Sequence, residues 1–487
     1  MKKLTDILKN TPVREVCGDT AAAIGGLVYD SRAVKPGDCF FAVPGTQSDG
    51  HDYIPMAVEK GAAAIVCERM PADAAEGVAY VLVGDSAGAM ADMAAAFYDY
   101  PSRELKLVGI TGTNGKTTTA TLLYDLVRAM GYKAGLISTV VYKIDGREVE
   151  ATHTTPDSIR LNAMMREMAD AGCAYCFMEC SSHAIVQERT RGLDFAGGIF
   201  SNITHDHLDY HKTFAEYIRA KKLFFDGLPK GAFALTNADD RNGRVMVQNT
   251  AAAVSAYSLR AMADFRCKIV EMHLDGMLLR IDGQELWVGL LGRFNAYNLL
   301  AVYGAAVLLG LDRGEVLRVL SMLHAVSGRF EKIRAANGTT AIVDYAHTPD
   351  ALENVIQTIE EIRTPGQQLI VVCGCGGDRD RTKRPEMAAI AVKYATTAVF
   401  TSDNPRHESP EAILDDMVAG LEPGARYLRI ADRAEAIRTA VMLSRPGDII
   451  LVAGKGHETY QIVGDVKHPF DDREEINSQF RIQNSKL

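Results

Sequence analysis

Seven residues, Gly112-Thr113-Asn114-Gly115-Lys116-Thr117-Thr118, combine the groups that a polyphosphate needs. Glycines let backbone N–H groups approach phosphate oxygens, a lysine bridges terminal phosphates, and a threonine hydroxyl can hold Mg2+. The strict P-loop spacing is not met, because its first glycine position falls on Ile110; the match is to a shorter Gly-Thr-Asn-Gly-Lys-Thr form. Alone, Gly-x-x-Gly-Lys-Thr also serves as a turn or a helix cap. Here an apolar run (105–110) precedes it and a periodic helix follows, a context that reads as nucleotide binding.

Other reactive groups sit at matching places. Glu179 closes the apolar run 175–179, where a carboxylate either caps a helix or holds Mg2+; beside a phosphate loop the metal reading is favoured. His205, Asp206, His207, Asp209 and His211 crowd seven residues. Zinc and a plain polar loop are the alternatives there, but no cysteine joins them, so a magnesium and phosphate site is the better reading. Thr213-x-x-Glu216 forms a capping box, which places Phe214, Ile218, Lys221 and Phe225 on one face of the helix that follows. Lys221 on that apolar face either snorkels or is a desolvated, reactive amine, and spacing leaves both open. Asp403-Asn404-Pro405-Arg406 follows the run 398–402. Arginine can fork onto a carboxylate and aspartate can accept from an ammonium, yet the four residues are equally a good turn.

The elements that must position these groups fall into three α/β blocks, taken as domains at 1–102, 103–330 and 331–487. The first mixes short apolar runs with turns, and Tyr100-Pro101-Ser102 reads as a hinge out of it. The second alternates strands (175–179, 198–202, 232–236) with helices (117–130, 158–171, 295–309), a mostly parallel ATPase-like sheet. The third restarts the alternation, with strands at 369–373, 398–402 and 448–453 and helices at 351–362, 385–394 and 410–421, a Rossmann-like doubly wound pattern. Ligands of such sheets bind at the carboxyl ends of strands, where the unusual residues cluster.

The 487 residues carry 62 acidic against 53 basic side chains, a net charge of −9, which argues against a general nucleic-acid or membrane-surface binder. No apolar stretch is long enough to span a bilayer. The first ten residues have charge inside every apolar run and do not read as a secretory signal. Nine cysteines scattered through apolar runs fit reduced thiols and a cytoplasmic location. Cys173, Cys176 and Cys180 are read as core residues, because no second zinc-spaced pair follows.

Together, the loop at 112–118, Glu179-Cys-Ser-Ser-His183, the stretch 202–209, Asp344-Tyr-Ala-His-Thr-Pro-Asp350, Gly374-Cys-Gly-Gly-Asp-Arg-Asp380 and Ala453-Gly-Lys-Gly-His-Glu458 resemble the ATP-dependent Mur ligases along the whole chain. The resemblance implies a three-domain enzyme that joins an amino acid to UDP-N-acetylmuramoyl-L-alanyl-D-glutamate in peptidoglycan precursor synthesis. Ser31, Thr46, Gln47 and Ser48 match positions for the UDP end, and Thr154, Thr155, Ser181, Gln187 and Arg189 those for the muramoyl-dipeptide. His153 and Thr46 depart from the family's residues. Asn298 and Arg329 match nucleotide contacts, while Asp344 and His347 fall near the domain junction. Thr117, Glu179 and His207 match Mg2+ ligands, and Lys221 matches the lysine that the family carbamylates with CO2. The implied reaction passes through an acyl phosphate, with Lys116 and Mg2+ offsetting charge on the phosphoryl oxygens.

In that context Asp403, Asn404, Pro405 and Arg406, with Arg379, Gly454 and Glu458, match the contacts for meso-2,6-diaminopimelate. L-lysine is the lesser alternative, since it has no distal carboxylate for the arginine. A P-loop switch would leave the third block unexplained. A folylpolyglutamate-type ligase would leave Asp30-Ser31-Arg32 unexplained, and no spaced Gly-x-Gly-x-x-Gly supports a dehydrogenase. A monomer is expected.

Overall fold

The computed structural model describes residues 1–45, 48–204 and 208–484. Three sheets divide the chain. The first has five strands in the order Val13–Cys17, Ala79–Val83, Ala64–Cys67, Cys39–Phe41 and Leu27–Val28, parallel except at the Val13–Cys17 edge. The second has eleven strands. Its parallel centre runs Ala134–Ile137, Tyr175–Glu179, Lys106–Thr111, Gly197–Phe200, Phe233–Asn237, Ala253–Ser258 and Phe265–His273. Antiparallel ribbons extend it at both edges. The third has six strands, Glu331–Arg334, Thr340–Asp344, Ile449–Ala453, Leu369–Cys373, Thr397–Phe400 and Tyr427–Arg429, antiparallel only at the first pair.

The central strands are buried along nearly their whole length, because helices cover both faces of the second sheet. Helices Lys116–Ala129, Ser158–Asp170, Phe214–Asp226 and Arg293–Leu308 do the covering. Side-chain caps mark their starts where the sequence supplies one: Asp157 accepts from Arg160 N, and Thr213 from Glu216 N. Each such cap contributes about 1 kcal/mol. One apolar cluster continues from Val108 and Leu123 through Leu299 to Leu352, Val355 and Ile356, so the second and third units share a packed core.

Several boundaries differ from the sequence expectation for local reasons. The helices expected at 117 and 295 start at Lys116 and Arg293, each directly after a glycine of positive φ, Gly115 at 86° and Gly292 at 95°. The strand expected over 198–202 ends at Phe200, because Ser201 and Asn202 turn away to hold the phosphate loop. The chain leaves the first unit through Asp99 and Tyr100, both left-handed, into the short turn Pro101–Glu104. Eight of the nine cysteines are buried, Cys173, Cys176 and Cys180 among them, and no disulfide forms.

In the third unit, two loops at strand ends are pinned together by charge. Arg384, with no exposed side-chain surface, pairs with Glu408 at 2.8 Å and Asp416 at 2.7 Å and donates to Gly376 O. Glu408 also takes Arg381 and the Asp378 amide, which ties the 376–381 loop to the 403–408 loop. Arg384 is the main cause that holds the Glu408 carboxyl down to about 2. Its contribution is therefore complete above the ordinary carboxylate range and is lost as pH falls through about 2. Glu408→Gln is expected to lower the melting temperature at pH 7, with the gap to the parent chain closing as pH drops below about 4. Thermal unfolding across that range checks it.

Candidate active site

The phosphate loop is built between two strand ends. Gly112, at φ 150°, lies so close to the next strand that a Cβ there would sit 1.9 Å from Ser201 Oγ. Gly115, at φ 86°, leaves 2.4 Å between such an atom and Asn298 Oδ1. Neither position accepts a side chain. The Thr113 amide donates to Asn202 O at 2.8 Å, the Asn114 amide to Asn202 Oδ1 at 2.9 Å, and Ser201 Oγ to Asn114 O at 2.6 Å. Thr117 and Thr118 are buried in the first helical turn, and Lys116 Nζ donates to Gly112 O and Thr113 O at 2.9 and 2.8 Å.

Glu179 and Lys221 flank this loop. Glu179 is 1% exposed, and its Oε1 accepts from the Thr139 amide at 2.7 Å. Lys221 is also 1% exposed. Its Nζ donates to Gly112 O at 2.7 Å and lies 4.7 Å from the centre of the Tyr217 ring, whose hydroxyl is 3.1 Å from Thr113 Oγ1. The structure thus favours the buried lysine over the snorkelling one. His207, expected as a metal ligand, lies outside the described residues, as do Thr46 and Gln47. No group of three or more His, Cys, Asp or Glu residues gathers into a metal cluster among the described residues. Thr117, Glu179 and Lys221 nevertheless line one cleft of about 470 Å3 with the loop, Asn298 and Arg329. Their hydroxyl and carboxylate oxygens suit a hard cation such as Mg2+.

On the side toward the first unit, Thr155 Oγ1 donates to Glu179 O at 2.7 Å, and Thr139 Oγ1 donates to Thr154 Oγ1 at 3.1 Å. The Ser181 amide donates to Thr155 Oγ1, and Arg189 spans Thr155 O and Gln187 Oε1, both at 2.6 Å. These five expected dipeptide contacts are therefore adjacent. His153 is exposed and is held there through its backbone by Tyr142. Ser31 is buried in the turn Ser31–Ala33, two residues beyond Tyr29, whose phenol feels Asp157 and Arg189. Ser48 is exposed, and its carbonyl accepts from the Gly45 amide.

The opposite wall comes from the third unit. Asp350, in the first turn of helix Pro349–Ile362, accepts from Asn114 Nδ2 at 3.0 Å and Thr204 Oγ1 at 3.3 Å. Asp344 accepts from the Phe330 amide at 2.7 Å, and burial raises its carboxyl to about 6. Arg329 donates to Thr117 Oγ1 at 3.2 Å and stacks 4.5 Å from the Tyr345 ring centre. His347 lines the same wall.

The second set of expected contacts lies together at strand ends of the third sheet. Arg406, half-buried and at φ 49°, donates to Gly377 O at 2.8 Å; Arg379 is exposed nearby, on the other side of Gly376. Asn404 Nδ2 donates to Glu458 Oε2 at 2.8 Å. Asp403 is 8% exposed and accepts from the Asn404 amide, while a Cβ on Gly454 would fall 2.5 Å from its Oδ2. Its carboxylate thus braces the turn that Pro405 stiffens. Sequence reasoning missed Thr139, Tyr217 and the Asn114–Asp350 bond. Only Tyr217 carried a local signal, one helical turn before Lys221.

Gly115→Ala is expected to weaken ADP binding by about tenfold or more and to lower the melting temperature, since left-handed strain falls on the loop and the new Cβ meets Asn298 of the neighbouring helix. Calorimetric titration of ADP checks it.

Three family models match consecutive stretches: "Mur ligase family, catalytic domain" at 23–98, "Mur ligase middle domain" at 110–306 and "Mur ligase, glutamate ligase domain" at 328–456. The chain is 55% identical over 480 residues to the UDP-N-acetylmuramoyl-L-alanyl-D-glutamate--2,6-diaminopimelate ligase of Phocaeicola vulgatus, covering 98% of this chain and 99% of that one. The protein of the same name from Geobacillus thermodenitrificans is 44% identical over 484 residues, covering 97% and 98%. A solved structure of a protein of that name superposes with a TM-score of 0.71 at 31% identity, covering 99% and 100%. The MurF ligase of Thermotoga maritima in complex with ADP shares the fold at a TM-score of 0.64 and 18% identity, covering 96% and 98%. With all three units matched and relatives aligned end to end, the chain belongs to the Mur ligase family.

Proposed function

We propose that this chain is the ATP-dependent ligase that adds meso-2,6-diaminopimelate to the D-glutamate side-chain carboxylate of UDP-N-acetylmuramoyl-L-alanyl-D-glutamate. The observation that carries the reading is one cleft that gathers the expected ATP-binding residues with Thr154, Ser181 and the start of the third unit. The phosphate loop forms its floor, Thr154 and Ser181 lie on one side, and the Asp344–Asp350 segment lies on the other. Its relatives at 54–55% identity over nearly the whole chain are named for this activity.

Lys116 and the amides at the start of helix Lys116–Ala129 hold the ATP polyphosphate, with Asn298 and Arg329 beside it. The D-glutamate carboxylate, placed by Thr154, Thr155, Ser181, Gln187 and Arg189, attacks the γ-phosphorus, forming an acyl phosphate and releasing ADP. The amine of diaminopimelate then attacks the acyl carbon. Phosphate leaves with the C–O bond, and the amine proton passes to solvent. Thr117 and Glu179, with His207 as the expected third ligand, would hold Mg2+, which neutralises phosphoryl charge when bound. Lys221 is the proposed carbamylation site: its burial disfavours the ammonium, and only the neutral amine adds CO2. The carbamate would turn a buried cation into an anion beside the metal. No helix of the described residues is long and apolar enough to cross a membrane, and the cytoplasm, where such precursors are made, is the proposed location. A monomer is proposed, with no nucleic-acid partner.

Specificity follows from charge. The Arg406 guanidinium, turned toward Gly376 and Gly377 at the strand ends, matches a carboxylate that L-lysine lacks. ATP-dependent phosphate release with the UDP-dipeptide should be strong with meso-diaminopimelate and near background with L-lysine. Arg406→Ala should reduce kcat/KM for diaminopimelate by about a hundredfold, in line with a lost charged hydrogen bond. Preference for lysine would refute the specificity. Expression in the presence of 13C-bicarbonate should give a carbamate carbon resonance that disappears in Lys221→Arg.

A further inference from the structure

Lys455 has no exposed surface and follows Gly454 directly at the end of strand Ile449–Ala453. Its Nζ donates to Asn404 Oδ1 at 3.1 Å and to Glu458 Oε2 at 2.9 Å, and lies 5.7 Å from the centre of the Tyr460 ring. Asn404 Oδ1 also accepts from the Ile462 amide at 2.9 Å. With two donors on the carbonyl end, the Asn404 amide has one orientation, and its Nδ2 faces Glu458 Oε2 at 2.8 Å. The other Glu458 oxygen takes the Tyr345 hydroxyl at 3.4 Å. One hidden ammonium thus fixes two residues that themselves reach the edge of the site.

A neutral side chain could fill the same space. It could not donate to Asn404 Oδ1 and Glu458 Oε2, and both acceptors would lose a shared partner where the Glu458 side chain is only 13% exposed. A Glu458 side chain held in one place is what an incoming ammonium needs, and the oriented Asn404 amide helps to hold it. The neighbouring strand Tyr460–Val463 completes the frame: Ile462 O accepts from the Arg406 amide at 3.1 Å and Gln461 Nε2 donates to Asp403 O at 2.7 Å. Carboxylate recognition by Arg406 and ammonium recognition by Glu458 are therefore braced by adjacent residues of one segment, 454–462.

We infer that Lys455 is a positioning residue for the amino-acid substrate: from behind the site it sets the orientation of Asn404 and the placement of Glu458, and thereby the affinity for the zwitterionic acceptor. The inference rests on reading Asn404 and Glu458 as amino-acid contacts. In steady-state kinetics of the full chain, Lys455→Met is expected to raise KM for meso-diaminopimelate by about ten- to a hundredfold, with kcat within about threefold and KM for ATP and the UDP-dipeptide unchanged. Because Lys455 acts through Glu458 as well as Asn404, the double variant Lys455→Met/Glu458→Gln should lose clearly less than the two single losses combined. Since it removes both buried charges together, the double variant also covers the case in which the single lysine variant fails to fold. An unchanged KM for diaminopimelate in Lys455→Met, an equal rise in all three KM values, or additive losses in the double variant would overturn the inference while leaving the proposed activity intact. A parent chain that turns over no diaminopimelate would overturn both.

Discussion

Gly112 and Gly115 have no room for a side chain, and much of the site's arrangement follows from that constraint. The loop is pressed between the end of strand Gly197–Phe200 and helix Arg293–Leu308, and its Thr113 and Asn114 amides are held by Asn202. The same closeness brings Gly112 O within 2.7 Å of Lys221 Nζ and within 2.9 Å of Lys116 Nζ. Two lysines of different expected roles therefore converge on one carbonyl. A looser loop would separate them, and the phosphate cradle would no longer share a wall with Glu179.

The loop also sets how the units meet. Asn114 reaches Asp350 across 236 residues, and Arg329 reaches Thr117 across 212. Both bonds join the phosphate loop to residues that flank the first two strands of the third sheet. Below them the shared apolar core holds Leu352 and Val355 against the second unit. Much of the rate of such a ligase is expected to come from positioning three substrates, which requires this kind of rigid junction. The proposed amino-acid side carries its own rigidity: Arg384 pins the loops that carry Arg379 and Arg406, and Lys455 anchors Asn404 and Glu458.

What the sequence made legible was mostly local. The strand–turn–helix around 112–118, the Thr213 cap and the place of Lys221 on the apolar face of its helix follow from spacing within a dozen residues, and the structure reproduces them; spacing left open whether its amine was buried, which the structure decides. The ribbons at the edges of the second sheet were not legible. Phe265–His273 alternates buried and exposed residues only at its start and carries a bulge near Ile269, so neither a strand period nor a helix period stands out. Long-range bonds such as Thr139 to Glu179 leave no local trace, because a backbone amide donor has no residue signature. The role of Lys455 was hidden inside a motif that could be quoted but not resolved into contacts.

The central claim is chemical: the D-glutamate carboxylate is phosphorylated before the amine attacks. The measurement that tests it most directly uses UDP-N-acetylmuramoyl-L-alanyl-D-glutamate labelled with 18O in the side-chain carboxylate, ATP and meso-diaminopimelate, with mass analysis of the released phosphate. One labelled oxygen should appear in each phosphate, because that oxygen bridges carbon and phosphorus in the acyl phosphate and leaves with phosphorus. Unlabelled phosphate from a reaction that still forms the amide would contradict the account.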